Sequence, residues 1–200
     1  MKKILLIDIC GTITEKNTTL DFISYIGNKP SILKIIIGRI CWRLFKKDTI
    51  RKWYLNELKG LSYTELVNLA REYVNQLNYD PQIICLINKH RGECDLYFVS
   101  ATLDFIAKAM TEKFNVSGFF ASELQFEDGI CSGKLKIDLL DNKNSVIAHM
   151  FNGDNNVCII SDNYGDYSVM EKCCSSWAVV RNKRALHYWS KKSVNIINRM

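Results

Sequence analysis

Two hundred residues, 48% hydrophobic and 24% charged, suit one core-burying domain or one domain carrying an inserted module, and they exclude wholesale disorder and a collagen-like fibre. Two prolines and ten glycines leave little room for long flexible linkers, and no apolar run approaches the ~20 residues that span a bilayer. The net charge of +6 is mild, and its plain reading is solubility.

The chain opens on Met1, Lys2 and Lys3, then an apolar run over 4–7 that Asp8 cuts. The run is too short for an export signal, so a cytoplasmic protein is expected. Its eight cysteines include no C-x-x-C pair, which argues against structural zinc and reads as mostly reduced core thiols. The runs 4–7, 96–99 and 157–160 read as buried parallel strands, ending at Asp8, Ser100 and Ser161-Asp162, and 177–180 as a fourth. Helical patterns over 103–114, 144–151 and 167–173 alternate with them. This predicts an α/β protein with a Rossmann-like parallel sheet. Right-handed crossovers put every strand's carboxyl end on one edge, so Asp8, Ser100 and Asp162 are expected to converge there. Residues 120–126 and 130–133, joined through Asp128-Gly129, read as a β-hairpin.

The stretch 18–79 differs. Leu58, Leu61, Leu66, Leu69, Ala70, Tyr73, Val74 and Leu77 follow helical spacing, and Ser62 with Glu65 forms a capping-box pattern. The domain reading is therefore a core of residues 1–16 and 81–200, with an inserted helical cap over 17–80 that acts as a lid. Between Lys29 and Gly60 nine basic residues face two acidic ones. The segment 31–47 is both basic and apolar. It reads as a lid helix packed on its neighbours, or as an interfacial helix at the inner face of a membrane with Trp42 and Phe45 lowermost. It can also steer an anionic substrate. No nucleic-acid-binding module is present. His90, His149 and His187 are not at ligand spacing, and Asp128 and Asp154 read as turn residues.

The run Ile4-Leu5-Leu6-Ile7-Asp8-Ile9-Cys10-Gly11-Thr12-Ile13-Thr14 resembles the first motif of the haloacid dehalogenase (HAD) superfamily, D-x-D-G-T-[LI]-T after a strand. Phe98-Val99-Ser100-Ala101-Thr102 resembles the second motif and Lys143 the third. Ser161-Asp162-Asn163-Tyr164-Gly165-Asp166 resembles the fourth. The match covers nearly the whole chain, and the insert and hairpin resemble the phosphoserine-phosphatase-like branch. The resemblance implies the HAD fold with a cap, a hydrolase of phosphate esters and Mg²⁺ as cofactor. It implies Asp8 as nucleophile and Lys143 and Ser100 as phosphoryl-binding groups, with Ala101, Gly11 and Thr12 beside them. Metal ligands would be Asp8, Asp162, Asp166 and the carbonyl of Cys10. The partner implied is a small phosphorylated substrate, organic or lipid-linked.

Elementary chemistry supports these roles. A carboxylate at a strand tip can attack phosphorus and split one hard step into two. Its repulsion from the phosphate dianion calls for a hard divalent cation, and carboxylates suit Mg²⁺. Lys143 supplies a fixed positive charge, and Ser100 can donate to phosphoryl oxygens. Cys10 departs from the pattern. The family's phosphatases carry a second Asp there, which protonates the leaving oxygen and then activates water. A thiol is a poor donor to an alkoxide and a poor base for water, and losing such help costs ~10²–10⁴-fold. Three readings stand: a phosphomonoesterase slowed or re-equipped at this position, a weak phosphate-binding or regulatory relative, and a dehalogenase. The acid pair of the fourth motif speaks against the last, because carbon-centred chemistry needs no metal. A redox role for Cys10 ranks low, because a thiol beside carboxylates has little thiolate character.

Overall fold

The computed structural model describes residues 3–27, 36, 49–140, 142–151 and 156–200. The basic apolar segment 31–47, apart from residue 36, and Asp154 therefore lie outside the described residues.

Among the described residues seven strands form one sheet in the order β4-β3-β2-β1-β5-β6-β7. They are β1 (Lys3–Ile7), β2 (Cys94–Leu103), β3 (Gly118–Glu127), β4 (Ile130–Ile137), β5 (Asn156–Ser161), β6 (Ser175–Val180) and β7 (Asn195–Asn198). All neighbours are parallel except the β3–β4 hairpin. Leu5, Leu6 and Ile7 are buried on both faces, as an interior parallel strand requires. β1 is central, and Ile7 pairs with Phe98 on one side and Ile160 on the other. The chain first builds β2 to β4 on one flank, then crosses to β5 on the other. The crevice beyond β1 is thus the switch point where such sheets bind ligands.

The helices bounded by described residues are α1 (Thr18–Tyr25), α2 (Thr49–Asn56), α3 (Tyr63–Gln76), α4 (Pro81–His90), α5 (Asp104–Phe114), α6 (Lys143–Val146), α7 (Tyr167–Met170) and α8 (Lys183–Trp189). The Ser62–Glu65 capping box forms as expected and starts α3. Asp80 caps α4 through the amides of Gln82 and Ile83, with Pro81 in the first turn. Phe22, Leu66, Ala70 and Val74 share one apolar core with Phe98, Phe105 and Ile106, so the helices of the insert pack directly on the sheet side. Asp128 (φ 50°) and Gly129 (φ 79°) make the two-residue turn of the hairpin.

Several expectations are corrected. Ser100 does not end its strand: β2 continues to Leu103, and its register with β3 shifts between Val99 and Leu103. The helix expected over 144–151 is a single α-helical turn at Lys143–Val146 followed by a 3₁₀ turn at Ala148–Phe151, and the one over 167–173 stops at Met170. β7 is a four-residue edge strand with Asn at both ends, too short and too polar to show an alternation. Among the described cysteines only Cys131 is buried: Cys10, Cys94, Cys158 and Cys173 are half-buried, and Cys85 and Cys174 are exposed. Cys10, Cys94, Cys158 and Cys173 pack against the core only partly covered, so the thiols are not buried core residues as a group. No helix among the described residues is long and apolar enough to cross a membrane.

The C-terminal strands are tied to the first motif through Asp80. Its Oδ2 accepts from Arg181 Nη2 at 3.0 Å and Arg199 Nε at 2.7 Å. Arg181 also donates to the carbonyls of Gly11 (2.9 Å) and Thr12 (3.0 Å). Burial alone would raise the Asp80 carboxyl, but Arg199 and the α4 amides override it and hold the group below the usual carboxylate range. A carboxyl depressed in the folded state stabilises at pH above its unfolded value, and that contribution fades as pH falls through the folded one. Asp80→Ala is therefore expected to lower unfolding free energy by about 3 kcal/mol at pH 7. Urea titrations should show this penalty shrinking on acidification through the carboxylate range. An equal penalty at pH 3 and pH 7 would contradict the assignment.

Candidate active site

Two strand ends deliver the acids. Asp8 follows β1 and is 4% exposed, its N–H donating to Ile160 O at 2.9 Å. Ser161 ends β5, Asp162 follows it, and Asp166 closes the 3₁₀ turn Tyr164–Asp166. Lys143, first residue of α6, is 6% exposed. Its Nζ lies 3.0 Å from Asp8 Oδ1 and 2.7 Å from Asp166 Oδ2. Ser161 Oγ donates to Asp166 Oδ2 at 2.6 Å and reaches Asp8 Oδ2 at 3.5 Å. Residues far apart in the chain thus meet within one side chain's reach. Lys134 and Lys136, the other lysines near in sequence, are exposed, and Lys136 pairs with Glu123 at 3.6 Å.

Asp162 is held from the first motif. Its N–H donates to Thr12 Oγ1 at 2.9 Å, and the same hydroxyl donates back to Oδ1 at 3.3 Å. Gly11 (φ +77°) lies so close that a Cβ built there would sit 2.1 Å from Asp162 Oδ2. A side chain at residue 11 would displace the carboxylate and strain the backbone.

Two of the expected phosphate contacts serve the turn instead. The Gly11 N–H donates to Thr14 O at 2.7 Å and the Thr12 N–H to Ile9 O at 3.3 Å, so both amides close the loop on itself. Ser100 is 1% exposed, and its hydroxyl lies 3.9 Å from Cys10 Sγ. Ala101 lines the cavity, and its carbonyl accepts from Arg51 Nη2 at 3.0 Å.

These groups border an open cavity of about 620 Å³, lined by Asp8, Cys10, Ser100, Lys143, Asp162 and Asp166 among others. Arg51 of α2 lines it from the insert, a residue that its sequence does not distinguish from the other basic residues there. Its guanidinium makes a paired contact with Asp138 at 2.7 and 2.9 Å and reaches Ser122 Oγ at 3.2 Å. No local motif marks this arginine, because its partners come from β3 and the segment after β4.

The electrostatics are those of too many acids for one base. Burial raises the Asp8 carboxyl, and neighbouring Asp166 adds to the effect, although Lys143 pulls the other way. Burial and then the Asp8 charge push Asp162 up to about 7. Burial works against the Lys143 ammonium, but Asp8 and Asp166 overcome it and hold the amine above its ordinary range. Two buried carboxylates, Asp8 and Asp166, and the half-buried Asp162 therefore share one fixed positive charge.

A hard cation would correct that imbalance. Among the described residues no three His, Cys, Asp or Glu side chains are gathered as a cage. Mg²⁺ needs none, since it takes one or two carboxylates and keeps several waters. The oxygen-rich donors fit it: the Asp8 and Asp162 carboxylates and the carbonyl of Cys10. Asp166 Oδ2 is engaged by Lys143 and Ser161, which makes it first a positioner of the lysine.

Cys10 is directed to the base of the insert. Its Sγ lies 3.1 Å from Thr18 Oγ1, accepts the Thr18 N–H at 3.4 Å, and is 3.9 Å from Ser100 Oγ. Thr18 Oγ1 in turn lies 2.6 Å from Thr102 Oγ1. Burial, then the charge of Asp8, push the Cys10 thiol up, so it is protonated at neutral pH. The histidines stay outside the site: His149 faces the Phe120 ring, His90 faces Glu93, and His187 is exposed.

No protein-family model matches the chain, and no curated protein matches it in sequence. Solved structures do match. A protein of unknown function from Bordetella pertussis Tohama I superposes with a TM-score of 0.80 at 16% identity, over 98% of both chains. A HAD-family hydrolase from Salmonella enterica serovar Typhi gives 0.72 at 13% identity, over 98% of this chain and 66% of that one. A phosphoserine phosphatase solved as a phospho-aspartyl intermediate analogue gives 0.68 at 18% identity, over 98% of this chain and 93% of that one. The fold is therefore that of the HAD hydrolases and phosphoserine phosphatases, as the sequence motifs led one to expect.

Gly11→Ala is expected to destabilise the protein by about 1–3 kcal/mol through backbone strain and displacement of Asp162. Chemical denaturation measures this. A variant as stable as the parent would show that the turn has room the structure does not provide.

Proposed function

We propose that the chain is a Mg²⁺-dependent phosphomonoesterase that works through an aspartyl phosphate on Asp8. The observation that carries this reading is the buried carboxylate of Asp8 against Lys143, at the open end of the sheet and beside a second acid, Asp162. The substrate would be a small phosphorylated compound, organic or lipid-linked. Residues 17–80 would act as the cap, with Arg51 on the wall of the cavity.

In this reading an Asp8 oxygen attacks phosphorus, the bond from phosphorus to the ester oxygen breaks, and the departing oxygen takes a proton from solvent water, which regains one when water attacks in the second step. Water then attacks the same phosphorus, the bond to Asp8 breaks, and inorganic phosphate departs. Lys143 stays charged throughout and stabilises the phosphoryl oxygens, as Ser100 does by donating its hydroxyl. Asp166 and Ser161 keep the ammonium in place. Asp8, Asp162 and the Cys10 carbonyl would hold Mg²⁺, which supplies Lewis-acid neutralisation of the phosphate charge. The tilt toward hydrolysis rather than dehalogenation comes from the second acid, because a carbon-centred displacement has no use for a cation beside its nucleophile.

Cys10 supports a second reading, a weak hydrolase or phosphate-binding protein. A protonated thiol engaged with Thr18 is badly placed to protonate a leaving alkoxide or to activate water, so an alkyl ester loses help in both half-reactions. Aryl phosphates, whose leaving groups need no proton, separate the two readings from alkyl phosphates.

Beryllofluoride with Mg²⁺ is expected to give a stoichiometric complex in native mass spectrometry and ¹⁹F NMR, lost on EDTA treatment and in Asp8→Asn. Failure to form it in the parent protein would defeat the proposal. Cys10→Asp is expected to raise turnover of an alkyl phosphate by ~10²-fold or more, with a smaller gain on an aryl phosphate. Equal gains on both would place the limit in the shared hydrolysis of the aspartyl phosphate rather than in departure of the leaving group, and no gain on either would show that the thiol does not limit the reaction. Alkyl turnover by the parent as fast as that of the variant would remove the weak-hydrolase reading.

A further inference from the structure

A second group of reactive side chains sits away from the acids. Cys158 lies in β5, where it pairs with Ser175 of β6, and Cys174 immediately precedes that strand. The Cys174 N–H donates to Val157 O at 2.9 Å, which clamps the segment before β6 against β5. The two Sγ atoms are thereby 3.2 Å apart. A disulfide requires ~2.05 Å, so a side-chain adjustment of about 1 Å suffices.

Access is asymmetric. Cys174 is exposed and borders a second cavity of about 340 Å³, shared with Glu171, Cys173, Ser193 and Asn195. Cys158 is half-buried behind it. Burial and the adjacent Cys174 thiol push Cys158 up to about 12, so the first encounter with an oxidant falls to Cys174.

We propose that Cys158 and Cys174 are a redox-active pair that closes to a reversible intramolecular disulfide under peroxide. The Cys174 sulfur attacks a peroxide oxygen, the O–O bond breaks, and the departing hydroxide takes up a proton as water. The sulfur is left as a sulfenic acid. The Cys158 sulfur then attacks the Cys174 sulfur, the S–O bond breaks, and the hydroxyl leaves as a second water with the Cys158 proton. Two thiols give up two electrons, and one peroxide becomes two waters. An external dithiol reverses the step and leaves as its own disulfide.

The closed loop runs from 158 to 174 and contains Ser161, Asp162 and Asp166. Oxidation therefore staples the segment that delivers the buried acids, from the side away from the cavity. The inference goes beyond the catalytic reading and does not depend on it, since its readouts involve no turnover.

The test treats the full chain with a small excess of hydrogen peroxide, alkylates the remaining thiols and maps the unreduced tryptic peptides. Lys172 separates Cys158 from the peptide 173–181 that carries both Cys173 and Cys174, so a linked pair of peptides, fragmented between Cys173 and Cys174, is diagnostic. The expected result is a monomeric protein carrying that link, with a melting temperature about 5–10 °C higher, reversed by dithiothreitol. Cys173→Ser should keep the link and Cys174→Ser should abolish it. Both thiols remaining alkylated, a link that persists in Cys174→Ser, or one formed only between molecules would overturn the proposal. The map of the parent protein decides the matter even if a variant fails to fold.

Discussion

The buried ammonium of Lys143, held between Asp8 and Asp166, is the constraint on which the rest of the site depends. Each carboxylate loses its water on burial, and an unpaired buried charge costs several kcal/mol. The pairing is stable only if β1, the start of α6 and the turn after β5 are all in place together. Ser161 adds a hydrogen bond to the pair, and Thr12 fixes Asp162 beside it. The arrangement still has more acid than base. That surplus is the electrostatic ground for the cation proposed there.

Around this centre, separate devices hold the loops that carry it. Arg181 and Asp80 tie the first-motif turn to the far side of the sheet, while the amides of Gly11 and Thr12 close that turn from within. On the other flank the Cys10 thiol, Thr18 and Thr102 form a chain of contacts from the turn to the first helix of the insert and on to β2. The residue that departs most from the motif thus joins the base of the insert to the sheet. Its thiol contributes to that joint rather than presenting a carboxylate to the cavity.

Much of the fold was legible in the residues. The unbroken apolar runs at β1, β2 and β5 mark interior parallel strands, Asp128-Gly129 marks the hairpin, and Ser62 with Glu65 marks the start of α3. What escaped had weak local signals. β7 is four residues with Asn at either end, and its place at the sheet edge comes from pairing with β6. The extension of β2 past Ser100 depends on an irregular register with β3. The cysteines looked like core residues by type, yet strand position and helix ends leave most of them partly open to solvent.

The sequence by itself determined the class of fold and the set of chemically able residues, because alternation, spacing and strand-end acids are local properties. It singled out Asp8, Ser100, Lys143, Asp162 and Asp166, and flagged Cys10 as the departure. Only the tertiary structure decided that Lys143 bridges two acids, that Thr12 binds Asp162, and that Arg51 and Arg181 take part. Those facts depend on distances between segments a hundred or so residues apart, which loop closure and sheet register set and no window of neighbouring residues encodes.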